Sequence, residues 1–271
     1  MRIADTLAQA RLLGVDRLDA QLLLAHHLQR PRAWLLAHDD AELPPAQAAA
    51  LAADLQRRAA GVPLAYLVGE KEFHGLLLRV TPDTLVPRPE TELLVDWALE
   101  RLAGMAAADV VDLGTGSGAI ALAVKHRCPA ARVTATDASP AALAVARANA
   151  SRLGLPVVFV EGDWWHALQG RHFDVVLSNP PYVAGDDEHL RALTHEPRQA
   201  LTPEGDGLAA LRQIVAAAPA HLRPGGWLLL EHGYDQATAV QGLLAGSGFE
   251  TPTTRLDIGG QARCTGARWP G

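Results

Sequence analysis

Asn179-Pro180-Pro181-Tyr182 is the group of residues in this chain whose types and order could do the most chemistry. It follows the apolar run Val175-Val176-Leu177, which reads as a buried strand, and neither proline has an N–H with which to continue regular pairing. The Asn179 side chain offers one acceptor oxygen and two donor hydrogens. A planar NH2 group arriving at this turn would give one proton to the Asn179 oxygen and the other to a backbone carbonyl such as that of Pro180. Proline fixes φ, so these acceptors are in place before a substrate arrives. Tyr182 would cover the flat face of the same group. The chemistry such a clamp suits is methylation of a nitrogen conjugated to a π system, a poor nucleophile until its N–H groups are engaged by acceptors. The turn alone does not distinguish adenine, cytosine or an amide.

A second constellation lies upstream. The strand Asp109-Val110-Val111-Asp112-Leu113 runs directly into Gly114-Thr115-Gly116-Ser117-Gly118. Glycines there let the backbone turn tightly and approach a ligand closely. The spacing is not that of the dinucleotide fingerprint, and no Lys-Ser/Thr pair follows to make a phosphate-gripping loop. Asp137 closes the next strand, where a carboxylate can accept from both hydroxyls of a ribose. Asp163 and Trp164 close the third, placing an acid beside an indole that can stack on adenine. Of Trp164 and Trp165, one is expected to pack in the core, and Trp164 is the expected adenine neighbour. Ligand-type residues on three successive strand ends point to an adenosine ligand without a required pyrophosphate cradle. S-adenosylmethionine fits best, with NAD the second choice.

The elements that must position these residues follow from periodicity. Residues 1–70 read as a small helical bundle, with leucines (Leu7, Leu12, Leu18, Leu22, Leu23) near helical spacing, a helix start at Asp16 and another at Pro44-Pro45. Residues 71–88 read as a linking β-hairpin, with Thr81-Pro82-Asp83-Thr84 as a turn signal. From residue 89 to 271, strands and helices alternate. Ser139 and Pro140 form an N-cap and first-turn pair, and an antiparallel hairpin around Gly259-Gly260 closes the chain. That order predicts an α/β fold: a Rossmann-like, mostly parallel seven-stranded sheet with helices on both faces.

Bulk properties narrow the partners. The net charge of −6 argues against a broad nucleic-acid footprint, so no direct nucleic-acid binding is expected. Asp5, Gln9 and Arg11 interrupt the apolar N-terminal stretch, which argues against a secretory leader, and no run suffices to span a membrane. Two distant cysteines, Cys128 and Cys264, suit a reducing compartment, so the expected location is cytoplasmic. The histidines show no metal-binding spacing, and no metal is expected.

"NPPY" after such a sheet resembles the amino-methyltransferases. Pro87 to Glu92 ("PRPETE"), "DLGTGSGAIA", "SNPPYV", "EPRQALTPEGDGL" and "GGWLLLEHG" together resemble the release factor glutamine methyltransferases (the HemK/PrmC family). The likeness runs from about Tyr66 to the end, and the helical N-terminal part matches that family's layout. It implies S-adenosylmethionine-dependent methylation, yielding S-adenosylhomocysteine, of the glutamine in the Gly-Gly-Gln motif of class 1 peptide chain release factors. It places Gly114, Thr115, Gly116, Ser117, Gly118, Asp137, Asp163, Trp164 and Asn179 around the cofactor. Asn179, Pro180, Pro181 and Tyr182 would hold the amide, with Asn179, Pro180 and Tyr182 catalytic. Arg88 and Glu90 belong to the segment expected near the substrate. The N-terminal bundle would contact the release factor. The alternatives are a ribosomal-protein glutamine methyltransferase, a DNA adenine N-methyltransferase and a non-enzymatic protein that kept the fold. Gly259-Gly260-Gln261 echoes the substrate motif and reads as a hairpin turn.

Overall fold

The computed structural model describes all 271 residues, which divide into two compact units, 1–70 and 71–271. The first is all helix: α1 (Ile3–Leu12), α2 (Arg17–Leu28), α3 (Arg32–Ala37), α4 (Pro45–Ala59) and α5 (Leu64–Val68). Asp16 caps α2 by accepting from the Leu18 N–H at 2.7 Å, and Pro45 opens α4 where a missing N–H costs nothing. Ile3, Leu23, Leu24, Leu35, Leu51 and Leu55 form its centre. Leu12, Leu18 and Leu22 are exposed instead, because α1 ends at Leu12 and α2 starts anew at Arg17, so one helical period does not run through both. His27 pairs with Asp54 at 2.9 Å, and Arg58 with Asp19 at 2.6 Å, fastening α2 to α4.

A hairpin of β1 (Glu70–Phe73) and β2 (Leu76–Arg79) follows the helices, and all of it but Glu70 belongs to the second unit. It turns at His74-Gly75, both at positive φ as a two-residue hairpin loop requires. Thr81 to Thr84 makes its turn after β2, not between the strands. A single 3-10 turn at Pro89–Thr91 leads into α6 (Glu92–Leu102).

The sheet is built from β3 (Asp109–Leu113), β4 (Arg132–Asp137), β5 (Val158–Glu161), β6 (Phe173–Ser178), β7 (Leu222–Glu231), β8 (Glu250–Leu256) and β9 (Ala262–Arg268). Between these strands lie α7 (Ala119–Arg127), α8 (Pro140–Leu153), α9 (Arg198–Leu201), α10 (Ala209–Ala217) and α11 (Ala237–Gly246). Strand order is β5-β4-β3-β6-β7-β9-β8, parallel from β5 to β7, with β9 antiparallel to both β7 and β8. This is the expected seven-stranded, mostly parallel α/β sheet. Leu94, Trp97, Leu122 and Val124 cover one face, and Leu211, Ile214, Val240 and Leu244 the other.

Chain order reverses between β3 and β6, and in open α/β sheets the crevice beyond the strand ends at such a switch point is where ligands bind. Asn149 of α8, fully buried, braces this end. Its Oδ1 accepts from the Arg79 N–H at 2.7 Å, and its Nδ2 donates to the carbonyls of Arg79 and Ser117, both at 2.9 Å. The hairpin, α8 and the glycine turn are thereby one rigid piece.

Candidate active site

A cleft of about 250 Å3 opens at the carboxyl ends of β3, β4, β5 and β6. Gly114 and Gly116 form its floor, Asp137, Ala138 and Ser139 one wall, Asp163 and Trp164 another, and Asn179 and Pro181 its far end. The structure thus brings residues from four strand ends around one space.

The glycine turn is pinned rather than loose. The N–H groups of Gly114 and Thr115 donate to the Thr136 carbonyl at 2.9 and 2.8 Å. Gly114, Gly116 and Gly118 all have positive φ. At Gly116 a Cβ would meet no protein atom within 4 Å and would project into open space, so the bare backbone is what leaves room for a ligand. At Gly118 a Cβ would come within 3.0 Å of Leu122 and 3.2 Å of Ala146, so glycine lets α7 and α8 approach. Thr115, Ser117 and Gly118 are buried and do not line the cleft.

Beneath the turn sits Asp112, fully buried. Its Oδ2 accepts from the Thr115 hydroxyl at 2.6 Å and the Ala121 N–H at 3.3 Å, while Oδ1 has no partner. Burial pushes its carboxyl up to about 7.

Asp137 accepts from the Gly116 N–H at 2.8 Å through Oδ2 and from the Ser139 N–H at 2.9 Å through Oδ1. A carboxylate has about four lone-pair positions, so two remain for a ligand in the cleft. Burial raises its pKa, and the backbone N–H groups oppose that. The two tryptophans part. Trp165 is buried, donates its indole N–H to the Ile214 carbonyl at 3.1 Å and stacks on His221. Trp164 takes a positive φ of 46° and lies over Gly114, where a Cβ would sit 3.2 Å from its ring. With that unusual backbone the indole lines the cleft while still packing against the edge of the core.

Of the Asn-Pro-Pro-Tyr turn, Asn179 and Pro181 line the cleft, whereas Pro180 is buried and Tyr182 packs against the core on the α10–α11 face. Asn179 Nδ2 donates to the Thr91 hydroxyl oxygen at 3.2 Å, which leaves its Oδ1 available as an acceptor. The Tyr182 hydroxyl donates to Glu231 Oε1 at 3.2 Å, and its carbonyl accepts from Gln236 Nε2 at 2.9 Å. The turn is therefore held by groups from the ends of β7 and α11.

Arg88 and Glu90 do not line the cleft. The Arg88 guanidinium is ion-paired with Glu196, whose side chain is 2% exposed and also accepts from the Val86 N–H at 3.1 Å. This clasp joins the segment before α6 to the start of α9, where Pro197 and, within the helix, Gln199 and Ala200 reach the cleft. Sequence reasoning missed that stretch, the cleft contributions of Asp83, Thr84 and Leu85, and Glu231. Glu196, Gln199 and Glu231 lie inside motifs already singled out as a group, and that grouping was the available signal.

Sheet order, the cleft at its switch point and the polar turn after β6 define a Rossmann-like methyltransferase. A model described as "Methyltransferase small domain" matches residues 90–209, and one described as "PrmC N-terminal domain" matches residues 1–69. A methyltransferase structure from Pyrococcus furiosus shares the fold at a TM-score of 0.53, with 19% identity over 72% of this chain and 89% of that one. The Thermus thermophilus 16S rRNA N2 G1207 methyltransferase, solved with AdoMet and guanosine, superposes at a TM-score of 0.56, with 21% identity over 74% of this chain and 49% of that one. Two sequences named release factor glutamine methyltransferase are much nearer. That of Bordetella pertussis is 52% identical, covering 93% of this chain and 95% of its own; that of Salmonella typhimurium is 43% identical, covering 98% and 96%. The chain belongs to the release factor glutamine methyltransferase family.

Proposed function

We propose that this protein transfers a methyl group from S-adenosylmethionine to the side-chain amide nitrogen of the glutamine in the Gly-Gly-Gln motif of class 1 release factors. The observation that carries the reading is the cleft lined by Asp137, Trp164 and an Asn179 whose Nδ2 is held by Thr91. Family membership supports glutamine over adenine as the acceptor, and the net charge of −6 supports a protein partner over duplex DNA.

The donor set fits the cofactor. Asp137 has two free acceptor positions for a ribose, Trp164 offers a ring face with Asp163 beside it, and the bare Gly116 backbone leaves room for the chain linking them. When bound there, S-adenosylmethionine supplies an electrophilic methyl group on a sulfonium whose charge disappears on transfer. Asn179 Oδ1 and the Pro180 carbonyl accept the two N–H groups of the glutamine amide and orient its nitrogen toward the methyl. Pro181 forms the adjoining wall, and Tyr182 buttresses the turn through Glu231. Fixing two reactants in line can contribute ~7–11 kcal/mol in favourable cases. The nitrogen becomes acidic only after the new bond forms, so no strong base is needed before transfer. Arg88, through Glu196, holds the start of α9, which closes one side of the cleft, and Glu90 lies in the same segment as Arg88. The helical unit, residues 1–70, is assigned to release-factor contact, and the location to the cytoplasm.

Incubating the protein with labelled S-adenosylmethionine and, separately, release factor, ribosomal proteins or duplex DNA tests the reading. Label on the Gly-Gly-Gln glutamine is the expected result. Label on DNA or ribosomal protein alone refutes it.

A further inference from the structure

We infer that Gln236 is a positioning residue for methyl transfer: its side-chain amide, donating to the Tyr182 carbonyl, fixes the exit of the Asn-Pro-Pro-Tyr turn and through it the acceptors that grip the substrate nitrogen. This rests on the function proposed above and deepens it.

The turn cannot hold itself. Pro180 and Pro181 have no N–H to donate, and the Pro180 carbonyl must stay open for the substrate. Fixation has to come from the flanks. On the entry side the Ser178 hydroxyl donates to the Leu113 carbonyl at 2.7 Å, and Asn179 Nδ2 donates to Thr91 at 3.2 Å. On the exit side the Tyr182 carbonyl accepts from Gln236 Nε2 at 2.9 Å. The following N–H, that of Val183, donates to the Leu201 carbonyl at 3.0 Å. Gln236 thus ties the main chain of the turn to the start of α11.

The neighbours of the Gln236 amide allow it one orientation. Its Oε1 accepts from the Gly233 N–H at 2.9 Å, so its NH2 must face the Tyr182 carbonyl. The Gly233 carbonyl in turn accepts from the Gln236 N–H at 2.9 Å and from His232 Nδ1 at 2.8 Å. A carbonyl only accepts, so Nδ1 carries the proton and Nε2 accepts from the Thr265 hydroxyl at 2.7 Å. His232 is fully buried, and burial lowers its pKa, which keeps that neutral form. Residues 232–236 therefore close on themselves between β7 and α11, with one amide N–H aimed at the turn.

Room for this contact comes from Gly207, which is buried at a φ of 76°. A Cβ there would overlap the Tyr182 carbonyl oxygen and come within 2.9 Å of Gln236 Nε2. Gly207 ends the "EPRQALTPEGDG" stretch and His232-Gly233 ends "GGWLLLEHG". None of these three residues lines the cleft, and all of them converge on the one carbonyl that anchors the turn.

The test uses the full-length enzyme and release factor, with initial rates from about pH 5.5 to 8.5. Gln236→Met keeps the length of the side chain and removes both of its hydrogen bonds. Its kcat should fall roughly 10- to 10²-fold, the range for misplacing a reacting group by up to about an ångström. KM for release factor and affinity for S-adenosylhomocysteine should stay near wild type, since the lost interaction acts after binding. Gln236→Glu is the sharper variant. Ionised, it sets an oxygen against the Tyr182 carbonyl, acceptor against acceptor, and should be as slow as Gln236→Met. Protonated, it has an O–H for Tyr182 and an oxygen for the Gly233 N–H, the same pattern as the amide. Partial burial and the neighbouring Asp235 raise the pKa of the introduced carboxyl, and Arg263, which donates to the His232 carbonyl at 3.4 Å, opposes them. Relative to wild type at each pH, its kcat should climb several-fold from about pH 8 to about pH 5.5, and that of Gln236→Met should not. Each variant decides the matter alone if the other does not fold. Wild-type kcat in Gln236→Met, a raised KM with kcat intact, or a ratio for Gln236→Glu that is flat with pH overturns the inference. So does a cofactor affinity that recovers in step with kcat, because that marks a global defect. A wild-type enzyme that leaves the release factor unlabelled overturns the function proposed above instead.

Discussion

Replacing Asp137 by Ala tests the cofactor assignment most directly. The wild-type carboxylate spends two acceptor positions on the Gly116 and Ser139 N–H groups, at 2.8 and 2.9 Å. The two left over would take the ribose hydroxyls. A hydrogen bond to a charged group is worth ~1.5–3 kcal/mol. Taking the low end for two, because solvent reaches the cleft, gives about 3 kcal/mol, or on the order of 10²-fold in Kd. Isothermal titration with S-adenosylhomocysteine measures this without any turnover. Alanine also frees the Gly116 N–H, so the unliganded protein should lose on the order of 1 kcal/mol of stability. Asp137→Asn sharpens the argument. Its NH2 must face either Gly116 N–H or Ser139 N–H, donor against donor, so asparagine should bind no better than alanine despite its matching shape. A folded Asp137→Ala protein with wild-type affinity, or an asparagine variant close to wild type, would refute the reasoning.

Asn179→Ala should cut turnover by about 10²–10³-fold, as for other positioned polar groups; a radiolabel transfer assay with release factor measures it. Asp112 should make stability fall with rising pH. Its folded pKa of about 7 lies above the ordinary 3.8, so its contribution is full below about pH 4 and is lost as pH rises through 7. Thermal unfolding of Asp112→Asn between about pH 5 and 8 should show a shallower decline than wild type, and an equal slope would remove Asp112 as the cause. Arg88→Met leaves Glu196 buried and without its cation, and should destabilise by about 1–3 kcal/mol in denaturant unfolding. Adding Glu196→Gln should recover part of that loss, and additive losses would show that the two residues do not act together.

Much of this protein is legible in its residues one short stretch at a time. Asp16 before α2 and Ser139-Pro140 before α8 cap their helices within three residues of themselves, so sequence suffices to place those starts. The glycine turn, Asp137 and the Asn-Pro-Pro-Tyr turn could be recognised because each hangs on the end of an apolar strand. The parallel sheet could be inferred because strands buried on both faces read as near-continuous apolar runs. The hairpin turn at His74-Gly75 was less legible, since the stronger turn signal at Thr81 to Thr84 lies beyond β2. The exposed Leu12, Leu18 and Leu22 show the same limit, because spacing does not reveal where one helix stops and the next begins.

The partners of the site residues were decided only by the tertiary structure. Thr91 meets Asn179, Arg88 meets Glu196, and Tyr182 meets Glu231 across separations of 88, 108 and 49 residues. No local pattern encodes such pairs, because they exist only once β3, β6 and β7 lie side by side. The amino-acid sequence alone determined which groups could grip a planar nitrogen beside an adenosine-type ligand. That Thr91 holds the Asn179 amide, and that a buried carboxylate stands behind Tyr182, follows from strand order and burial, and burial is the largest cause that raises the Glu231 pKa.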